Sequence, residues 1–244
     1  MKIISVKNVS KTFTETSLGI KELFVRRSSG LDNFKFNLMR KYALKDISFN
    51  VYKSSGLAII GHNGSGKSTL LSLLLGTYIQ DSGSIDINGR ISSLLELGAG
   101  FNNDLTGSEN ISLYGHILGM EKSQIDHLYP KIIDFCELGD AINIPLRKYS
   151  AGMIARLGFA IAIFNNPDIL LIDEVLAVGD SSFKKKCYQL LNDYRNNGGT
   201  LIIVSHEINE LTNYCDRAIV LKNGEIFFSG KINIAIDKYN SMMI

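Results

Sequence analysis

Residues 61–68 decide the fold, and they read Gly61-His62-Asn63-Gly64-Ser65-Gly66-Lys67-Ser68. This stretch matches the pattern G-x-x-x-x-G-K-[ST] at every fixed position. The apolar run Leu57-Ala58-Ile59-Ile60 precedes it, as in a buried parallel strand, and residues 68–75 follow with the apolar spacing of a helix. In such a strand–loop–helix, glycines let successive N–H groups face an anion, and the helix N-terminus adds partial positive charge. The stretch therefore predicts a loop that binds phosphate.

The residue types in this phosphate loop predict how a nucleoside triphosphate is held. The Lys67 ammonium is expected to reach the β- and γ-phosphates, and the Ser68 hydroxyl is expected to ligate Mg²⁺. ATP and Mg²⁺ are therefore the predicted ligands. The predicted nucleotide-contacting residues of this region are Gly61, His62, Asn63, Gly64, Ser65, Gly66, Lys67, Ser68 and Thr69.

Two further apolar strands are predicted to end in polar side chains. Residues 169–172 are four aliphatics followed by Asp173 and Glu174, and residues 202–204 lead into a Ser-His pair that ends at His206. The carboxyl edge of a parallel sheet is where α/β proteins bind ligands. Asp173 is predicted to hold Mg²⁺, directly or through water, and Glu174 to act as general base on the attacking water. His206 is predicted to reach the γ-phosphate, and the predicted catalytic residues are Glu174, His206 and Lys67.

The order of the other predicted elements indicates an α/β fold. Strands are predicted at residues 3–13, 43–49 and 85–90, and helices at residues 182–196 and 207–215. Residues 105–148 are predicted to be mostly helical and to form a second lobe. From Ser150 onward helices alternate with strands, which is typical of a parallel sheet covered by helices. Residues 14–41 break the pattern and are predicted to be an inserted loop with a short amphipathic helix.

Composition excludes several classes of protein. The chain has 244 residues, with 26 Lys+Arg against 24 Asp+Glu, and this near balance argues against a dedicated nucleic-acid-binding protein. No apolar run approaches the roughly 18–20 residues of a membrane span, and the first residues lack the pattern of a signal peptide. The three cysteines lie far apart, which favours a reducing compartment over a disulfide framework or a zinc site. We therefore expect a cytoplasmic chain.

One motif between the phosphate loop and the acidic strand narrows the class of nucleotide-binding protein. The signature segment, residues 149–153, reads Tyr-Ser-Ala-Gly-Met and resembles the L-S-G-G-Q motif of ATP-binding cassette (ABC) ATPases. Of the departures from this motif, two matter: Ala151 replaces a glycine and Met153 replaces the glutamine. Ser150 is predicted to cap the helix that follows, and Gly152 leaves its backbone bare. The resemblance implies that these two residues complete the ATP site of an opposing subunit in a head-to-tail dimer.

Further stretches resemble the polysaccharide-export branch of ABC proteins. They are Ser93–Phe101 (SLLELGAGF), Leu105–Ile111 (LTGSENI), Asp173–Asp180 (DEVLAVGD) and the Leu18-Gly19 insertion. The resemblance implies that Glu96 senses Mg²⁺ or water and that Asp180 lies in a loop across the dimer interface. It also implies that adenine stacks on an aromatic ring upstream of the phosphate loop, and both Phe13 and Tyr42 are candidates.

The resemblance covers the chain from about residue 3 to its end and implies a function. We expect an ATPase subunit that drives export of a lipid-linked polysaccharide through a separate membrane permease. O-antigen is expected ahead of teichoic acid or capsule. The expected partners are a second copy of the chain and the permease, which would dock on residues 96–110 with Phe101 as an anchor. The expected location is the cytoplasmic face of the inner membrane.

The expected architecture is a single ABC ATPase domain over residues 1–244. It would have a mixed sheet core of the RecA type, an N-terminal antiparallel β part, and a helical lobe at about residues 105–165. Since 244 − 206 leaves 38 residues after the last motif, no carbohydrate-binding domain is expected. The alternatives from other classes are a soluble ABC ATPase without a transport role and a small-molecule kinase, which would be active as a monomer.

Overall fold

The structure is a computed structural model that describes residues 1–15, 39–94, 98–173, 180–205 and 208–242. Its strands are β1 (Lys2–Glu15), β2 (Met39–Tyr52), β3 (Gly56–Ile60), β4 (Ser82–Ile87), β5 (Ile91–Ser93), β6 (Ile169–Asp173), β7 (Thr200–Val204), β8 (Arg217–Lys222) and β9 (Glu225–Lys231). Its α-helices are α1 (Lys67–Leu74), α2 (Gly107–Ile117), α3 (Lys122–Cys136), α4 (Ala151–Phe164), α5 (Ser181–Asn196), α6 (Ile208–Leu211) and α7 (Ile232–Met242). Two 3₁₀ turns, Gly139–Asn143 and Leu146–Lys148, lie between α3 and α4.

The main sheet has six strands in the order β5-β6-β7-β3-β8-β9. Neighbours from β5 to β8 are parallel, and β9 pairs antiparallel with β8, so the sheet is mixed as predicted. Ile59 of β3 and Asp173 of β6 both pair with Val204 of β7. The carboxyl ends of these three strands are therefore level and lie at one edge of the sheet.

A second sheet, in the order β2-β1-β4, is antiparallel throughout, which confirms the predicted N-terminal β part. Helix α1 lies between the two sheets. Its Leu70, Leu71 and Leu74 are buried in one apolar cluster with residues of β1, β2, β3 and β7. The start of α1, where the phosphate loop ends, is thus held from both sides by packed strands.

The other face of the main sheet is covered by helices. Residues of α4, α5 and α7 share an apolar cluster with β3, β6, β7 and β8. Helices α2, α3 and α4 have a further apolar core of their own, in which Ile111, Ile132 and Leu157 are buried. Helix α4 contributes to both clusters, so it joins the helical region to the main sheet.

The structure departs from the sequence-based prediction in four segments. Residues 207–215 were predicted as one helix, but α6 covers only Ile208–Leu211 in the described part. The helix ends early because Asp216 donates its N–H to the Gly56 carbonyl, which pairs the chain with β3. The third predicted strand lies three residues earlier, since β4 ends before Gly89 at φ 143°. Strand β5 was not predicted because it is only three residues long.

The fourth segment is the predicted insertion at residues 14–41. Its ends are strand, because β1 continues to Glu15, β2 begins at Met39, and these two residues are register partners. Its middle, where the amphipathic helix was predicted, lies outside the described residues. In the ranges that are described, every helix is too short or too polar to span a membrane.

Candidate functional site

The phosphate loop connects the buried end of β3 to the first turn of α1. Gly66 occupies the N-cap position of α1 with φ 107°, and it brings no side chain to cap the helix. The first N–H groups of any helix lack acceptors within that helix, and a Ser, Thr or Asp cap normally satisfies one of them. Because Gly66 leaves these donors uncapped, the N-terminus of α1 is suited to an anion.

Two of the glycines are required by close contacts. A Cβ on Gly66 would lie 2.7 Å from the Ala43 carbonyl oxygen and 2.7 Å from a Leu44 methyl, in addition to the strain of a positive φ. A Cβ on Gly61 would meet the Ser65 side chain and lie 2.6 Å from the Leu221 carbonyl oxygen. The loop is therefore confined between β2 on one side and β8 on the other.

Lys67 folds back across the phosphate loop. Its Nζ donates to the Gly61 carbonyl at 2.7 Å and to the His62 carbonyl at 3.1 Å, and the residue is only 8% exposed. A buried ammonium is costly unless it is paired. Lys67 therefore places a positive charge directly inside the loop, where a phosphate group would be paired with it.

A cavity of about 330 Å³, the phosphate cavity, opens in front of this loop. It is lined by Ala43, Asn63, Gly64, Gly66, Lys67, Ser68, Thr69 and Asp173. The sequence-predicted residues Gly61, His62 and Ser65 do not line it. Gly61 and His62 contribute carbonyls to Lys67, and the buried Ser65 hydroxyl has no hydrogen-bond partner in the described part of the chain.

The donor set of the phosphate cavity fits a hard divalent cation. Ser68 and Asp173 bring a hydroxyl and a carboxylate to the same cavity, and Mg²⁺ binds such oxygen ligands while keeping water and phosphate oxygens in its other positions. Within the described ranges, no three acidic, His or Cys side chains cluster closely enough to hold a metal by themselves. Phosphate oxygens would supply further ligands to a metal at this place.

Residue Ala43 was not predicted to be part of the site. The β1–β2 register shifts between the pairs Lys11↔Leu44 and Thr12↔Tyr42, which makes Ala43 the extra residue of a bulge. Bulges redirect the backbone, and this one places the Ala43 carbonyl against Gly66. No sequence pattern marks it, because the bulge follows from strand pairing.

The signature segment lies at the start of α4. The Ser150 hydroxyl accepts a hydrogen bond from the Met153 N–H at 3.2 Å and so caps the helix, as predicted. Ser150 and Gly152 line a separate cavity of about 390 Å³, the signature cavity, together with Glu137, Leu138, Met153 and Arg156. The phosphate and signature cavities have no lining residue in common. The chain thus carries two separate halves of a site.

Arg156 is the only charged residue of α4, and it connects the signature cavity to Asp180. It donates to the Asp180 carboxylate at 2.7 Å and lies 3.7 Å from the Glu137 carboxylate, which also pairs with Lys186. Sequence analysis did not single out Arg156. The available signal was a lone cation in an otherwise apolar helix, which indicates a specific partner.

Asp180 caps α5 and does not line either cavity. Its carboxylate accepts hydrogen bonds from the Ser182 hydroxyl and N–H and from the Phe183 N–H. These bonds lower the pKa of Asp180 to about 2, and the bond from the Ser182 hydroxyl has the largest effect. Asp180 is therefore an anion at neutral pH and joins the N-terminus of α5 to α4 through Arg156.

The two candidate base-stacking residues, Phe13 and Tyr42, lie on opposite faces of the β1–β2 pair. Tyr42 is the register partner of Thr12, whereas Phe13 is the partner of Lys41. Because successive residues of a strand point to opposite faces, one nucleotide can stack on only one of the two rings. Phe13 is 39% exposed and Tyr42 is 54% exposed, so both are accessible.

Three predicted site residues, Glu96, Glu174 and His206, lie outside the described residues. The residues immediately before Glu174 and His206 are described. Glu174 directly follows Asp173 at the end of β6, and His206 follows β7 by two residues. Since β6, β7 and β3 end level, the described residues Asp173 and Ser205 lie at the same sheet edge as the phosphate loop.

Comparison with known proteins identifies the family. The sequence profile described as "ABC transporter" matches residues 44–177, which extend from β2 through the phosphate loop and the signature segment to the acidic strand. The chain belongs to the ABC transporter family. Structures of ABC proteins are also similar to it.

One similar solved structure is titled "Structure of ATP binding subunit of ABC transporter". It has a TM-score of 0.77 at 20% identity and covers 98% of this chain and 93% of that one. Another is the dimeric structure of a post-hydrolysis state of an ATP-binding cassette bound to ADP and Pi. It has a TM-score of 0.73 at 25% identity and covers 94% of this chain and 99% of that one.

Relatives in the ABC family carry names from polysaccharide export. The O-antigen export system ATP-binding protein RfbB of Klebsiella pneumoniae is 40% identical over 245 residues, covering 99% of this chain and 98% of that protein. The teichoic acids export ATP-binding protein TagH of Bacillus cereus is 38% identical over 243 residues, covering 100% of this chain and 43% of that protein. The ABC transporter protein AbcA of Aeromonas salmonicida is 43% identical, covering 82% of this chain and 65% of that protein. The chain thus spans less than two thirds of TagH and AbcA.

Proposed function

We propose that this chain is the ATP-hydrolysing subunit of an ABC transporter that exports a lipid-linked polysaccharide, with O-antigen as the expected cargo. The observation that carries the proposal is the phosphate cavity, which brings Lys67, Ser68 and Asp173 together before an uncapped helix N-terminus. The cargo is proposed from relatives named for O-antigen and teichoic acid export.

ATP binding follows from the charges of the phosphate cavity. The triphosphate would exchange the hydrogen bonds that Lys67 makes to the loop carbonyls for charge-assisted bonds, and the first N–H groups of α1 would donate to its oxygens. Ser68 and Asp173 are the residues that would hold Mg²⁺. When bound, this ion neutralises negative charge on the phosphate oxygens.

Hydrolysis requires a base close to the terminal phosphate. Glu174 follows the proposed metal ligand Asp173, and we assign it the role of general base, which accepts a proton from the attacking water. His206 is assigned to the γ-phosphate. Glu96, which follows β5, is assigned to Mg²⁺ or its water.

The separation of the two cavities supports a head-to-tail dimer as the active form. Ser150 and Gly152 present the uncrowded N-terminus of α4 at the signature cavity, where a Cβ on Gly152 would meet only the Ser150 hydroxyl, at 3.8 Å. In a head-to-tail pair this helix N-terminus would face the triphosphate of the opposing copy. Asp180, fixed to α4 through Arg156, would lie at the same interface.

The proposed permease contact is an apolar patch on the helical region, formed by Phe101 and Ile117 next to the buried Tyr114. The Phe101 ring packs edge-on against Tyr114 with centroids 5.1 Å apart, and Ile117 is 58% exposed. The buried Asn110 side chain bonds the backbone of Asn102, Leu105 and Thr106, which makes the loop before α2 rigid. A rigid apolar patch suits docking, and through it the chain would be held at the cytoplasmic face of the inner membrane.

The catalytic proposal is tested with purified protein. Glu174→Gln is expected to bind ATP with wild-type affinity and to have lost turnover. ATPase activity of the wild type is expected to rise more steeply than linearly with protein concentration, because two copies complete each site. Near-normal turnover in Glu174→Gln would overturn the assignment of the base, and activity strictly proportional to protein would favour a monomeric enzyme such as a kinase.

The cargo is tested in cells. Deletion of the gene is expected to cause a lipid-linked polysaccharide to accumulate on the cytoplasmic side, and complementation with Ile117→Asp is expected to fail although its basal ATPase activity is retained. Chemical identification of that glycolipid distinguishes O-antigen from teichoic acid and capsule. Normal polysaccharide export in the deletion strain, with no permease copurifying, would instead support a soluble ABC ATPase.

A further inference from the structure

The segment around Phe13 is fixed by a carboxylate that belongs to neither cavity. Asp81 accepts hydrogen bonds from the Thr12 N–H at 2.6 Å and from the Thr12 hydroxyl at 2.7 Å. Its other carboxylate oxygen lies 3.1 Å from the Lys11 Nζ, and its own N–H donates to the Ser10 carbonyl at 2.9 Å. One residue thus holds three consecutive residues of β1 immediately before Phe13.

Strand pairing explains why β1 needs this carboxylate. The last register pair between β1 and β4 is Ser10↔Ser82, so β1 continues beyond the end of its neighbour on that side. The Thr12 N–H would lose its strand acceptor there, and Asp81 replaces it. The resulting hydrogen bonds lower the pKa of Asp81 to about 2, and the bond from the Thr12 hydroxyl has the largest effect. The carboxylate is therefore charged at neutral pH.

The Phe13 ring itself is held on two sides. Its edge-on contact with Tyr78 has centroids 5.4 Å apart at 68°, and the Lys11 Nζ lies 5.6 Å from the ring centroid. Tyr78 in turn donates its N–H to the Ser72 carbonyl in the last turns of α1. Tyr78 and Asp81 belong to one short segment. This segment therefore fixes the position of the backbone before Phe13 and the position of the Phe13 ring.

The same segment relates Phe13 to the phosphate loop. Lys67 begins α1, and the residues that contact Phe13 follow its other end, so the eight-residue helix, about 12 Å long, separates the two places. A nucleotide whose phosphates lie in the loop can extend over that distance and place its base on the exposed Phe13 ring. Tyr42 lies on the opposite face of the strands, next to Ala43 of the phosphate cavity, so a Tyr42 variant tests the other face.

We propose that Asp81, together with Tyr78, is a positioning residue that holds the Phe13 ring as the stacking surface for the nucleotide base. This inference rests on the proposed nucleotide-binding function. Asp81 does not touch the nucleotide. It acts through Phe13, by keeping Lys11, Thr12 and the ring that follows them in one conformation.

The test compares the affinity of ATP with that of inorganic tripolyphosphate, which has the phosphates but no base. Asp81→Ala is expected to weaken ATP binding about 10-fold, since stacking of a base on an aromatic ring has an effect of this order, and to change tripolyphosphate binding less than about twofold. Asp81→Asn, which keeps an acceptor for the Thr12 N–H, is expected to recover part of the ATP affinity.

A double-variant cycle separates positioning from general damage to the fold. If Asp81 acts through the ring, Phe13→Ala weakens ATP binding and adding Asp81→Ala weakens it no further. Asp46→Asn is the matched control, because Asp46 also bonds a neighbouring strand of this sheet, through Asn8 at 2.7 Å. It is expected to leave both affinities unchanged.

Three results in the Asp81 variants would overturn the proposal. They are an unchanged ATP affinity in Asp81→Ala, an equal loss for ATP and tripolyphosphate, and additive losses in the double variant. A large loss of ATP affinity in Tyr42→Ala with none in Phe13→Ala would assign the base to the other face and overturn it too. A wild-type chain that binds neither ligand would contradict the proposed function itself.

Discussion

The guanidinium carbon of Arg156 lies 4.6 Å from the centroid of the Phe183 ring, so the cation of helix α4 packs on the first turn of α5. The same side chain pairs with Asp180, which caps α5. A single arginine therefore joins the signature helix to the N-terminus of α5. Movement of one of these helices would be transmitted to the other through this residue.

Arg156→Ala should uncouple these two helices. We expect ATPase turnover to fall by about 10-fold or more, since displacements of about 1 Å at a catalytic site have effects of this size. ATP affinity should stay within about twofold of the wild type, because Arg156 does not line the phosphate cavity. Steady-state kinetics and equilibrium binding measure the two quantities.

Arg147→Ala is the matched control, since Arg147 also pairs with a carboxylate at 2.7 Å, that of the exposed Asp104. It should leave turnover unchanged, because exposed ion pairs contribute little. Equal losses of turnover in the two variants would contradict a coupling role for Arg156.

Gly66→Ala should abolish ATP binding. The new methyl group would overlap the Ala43 carbonyl and a Leu44 methyl, both at 2.7 Å, so the loop and β2 must separate. Gly76→Ala is the control: Gly76 has φ 74°, and a Cβ there meets nothing within 4 Å. Both variants should unfold at a lower temperature, but only Gly66→Ala should lose ATP affinity in equilibrium titrations. A Gly66→Ala protein that binds ATP normally would refute the close packing described for the loop.

Ser150→Ala should lower both stability and activity. Loss of the N-cap is expected to cost about 1 kcal/mol of unfolding free energy, measured by urea denaturation. If this helix N-terminus faces the ATP of an opposing copy, turnover should also fall, and its steep dependence on protein concentration should weaken.

Thr106→Ala removes the N-cap and capping box of α2 and is the appropriate comparison. Its stability should fall by a similar amount, while basal turnover stays normal. Turnover lost to the same extent in both variants would show that the effect of Ser150→Ala is structural only.

Acid should remove the contribution of Asp180 to stability. Its pKa is lowered from 3.8 to about 2 in the folded chain, so the carboxylate stabilises the fold above about pH 4, and this contribution is lost as the pH falls toward 2. The denaturation midpoint of Asp180→Ala should therefore lie below that of the wild type at pH 7, and the two should converge in acid. A constant difference from pH 7 to pH 3 would argue against the hydrogen bonds of the Asp180 carboxylate as its cause.

The sequence could predict those parts of the site that depend on local pattern. Lys67, Ser68 and Asp173 were placed correctly relative to one another because a buried parallel strand must deliver its next residues to the carboxyl edge of the sheet. The same logic predicted the capping role of Ser150. These residues needed only the order of strands and helices, and the apolar periodicity supplies that order.

Other features depend on pairing between distant segments and could not be predicted in this way. The approach of Ala43 to Gly66 results from a bulge, and bulges arise from the register between β1 and β2. The opposite orientation of Phe13 and Tyr42 has the same origin. Similarly, the partner of Arg156 is a carboxylate 24 residues away, which the helix pattern of α4 does not reveal.

The turn between β8 and β9 has a consequence for synthesis of the chain. Gly224 accepts a hydrogen bond from the Lys45 N–H at 2.8 Å and donates its own N–H to the Ser65 carbonyl at 3.1 Å, so the phosphate loop is anchored by a residue that is synthesised after the residues of both cavities. A nascent chain on the ribosome already contains the phosphate loop, the signature segment and the acidic strand long before this anchor exists. We therefore expect nucleotide to be captured only once the β8–β9 hairpin has emerged, which would protect incomplete chains from binding ATP.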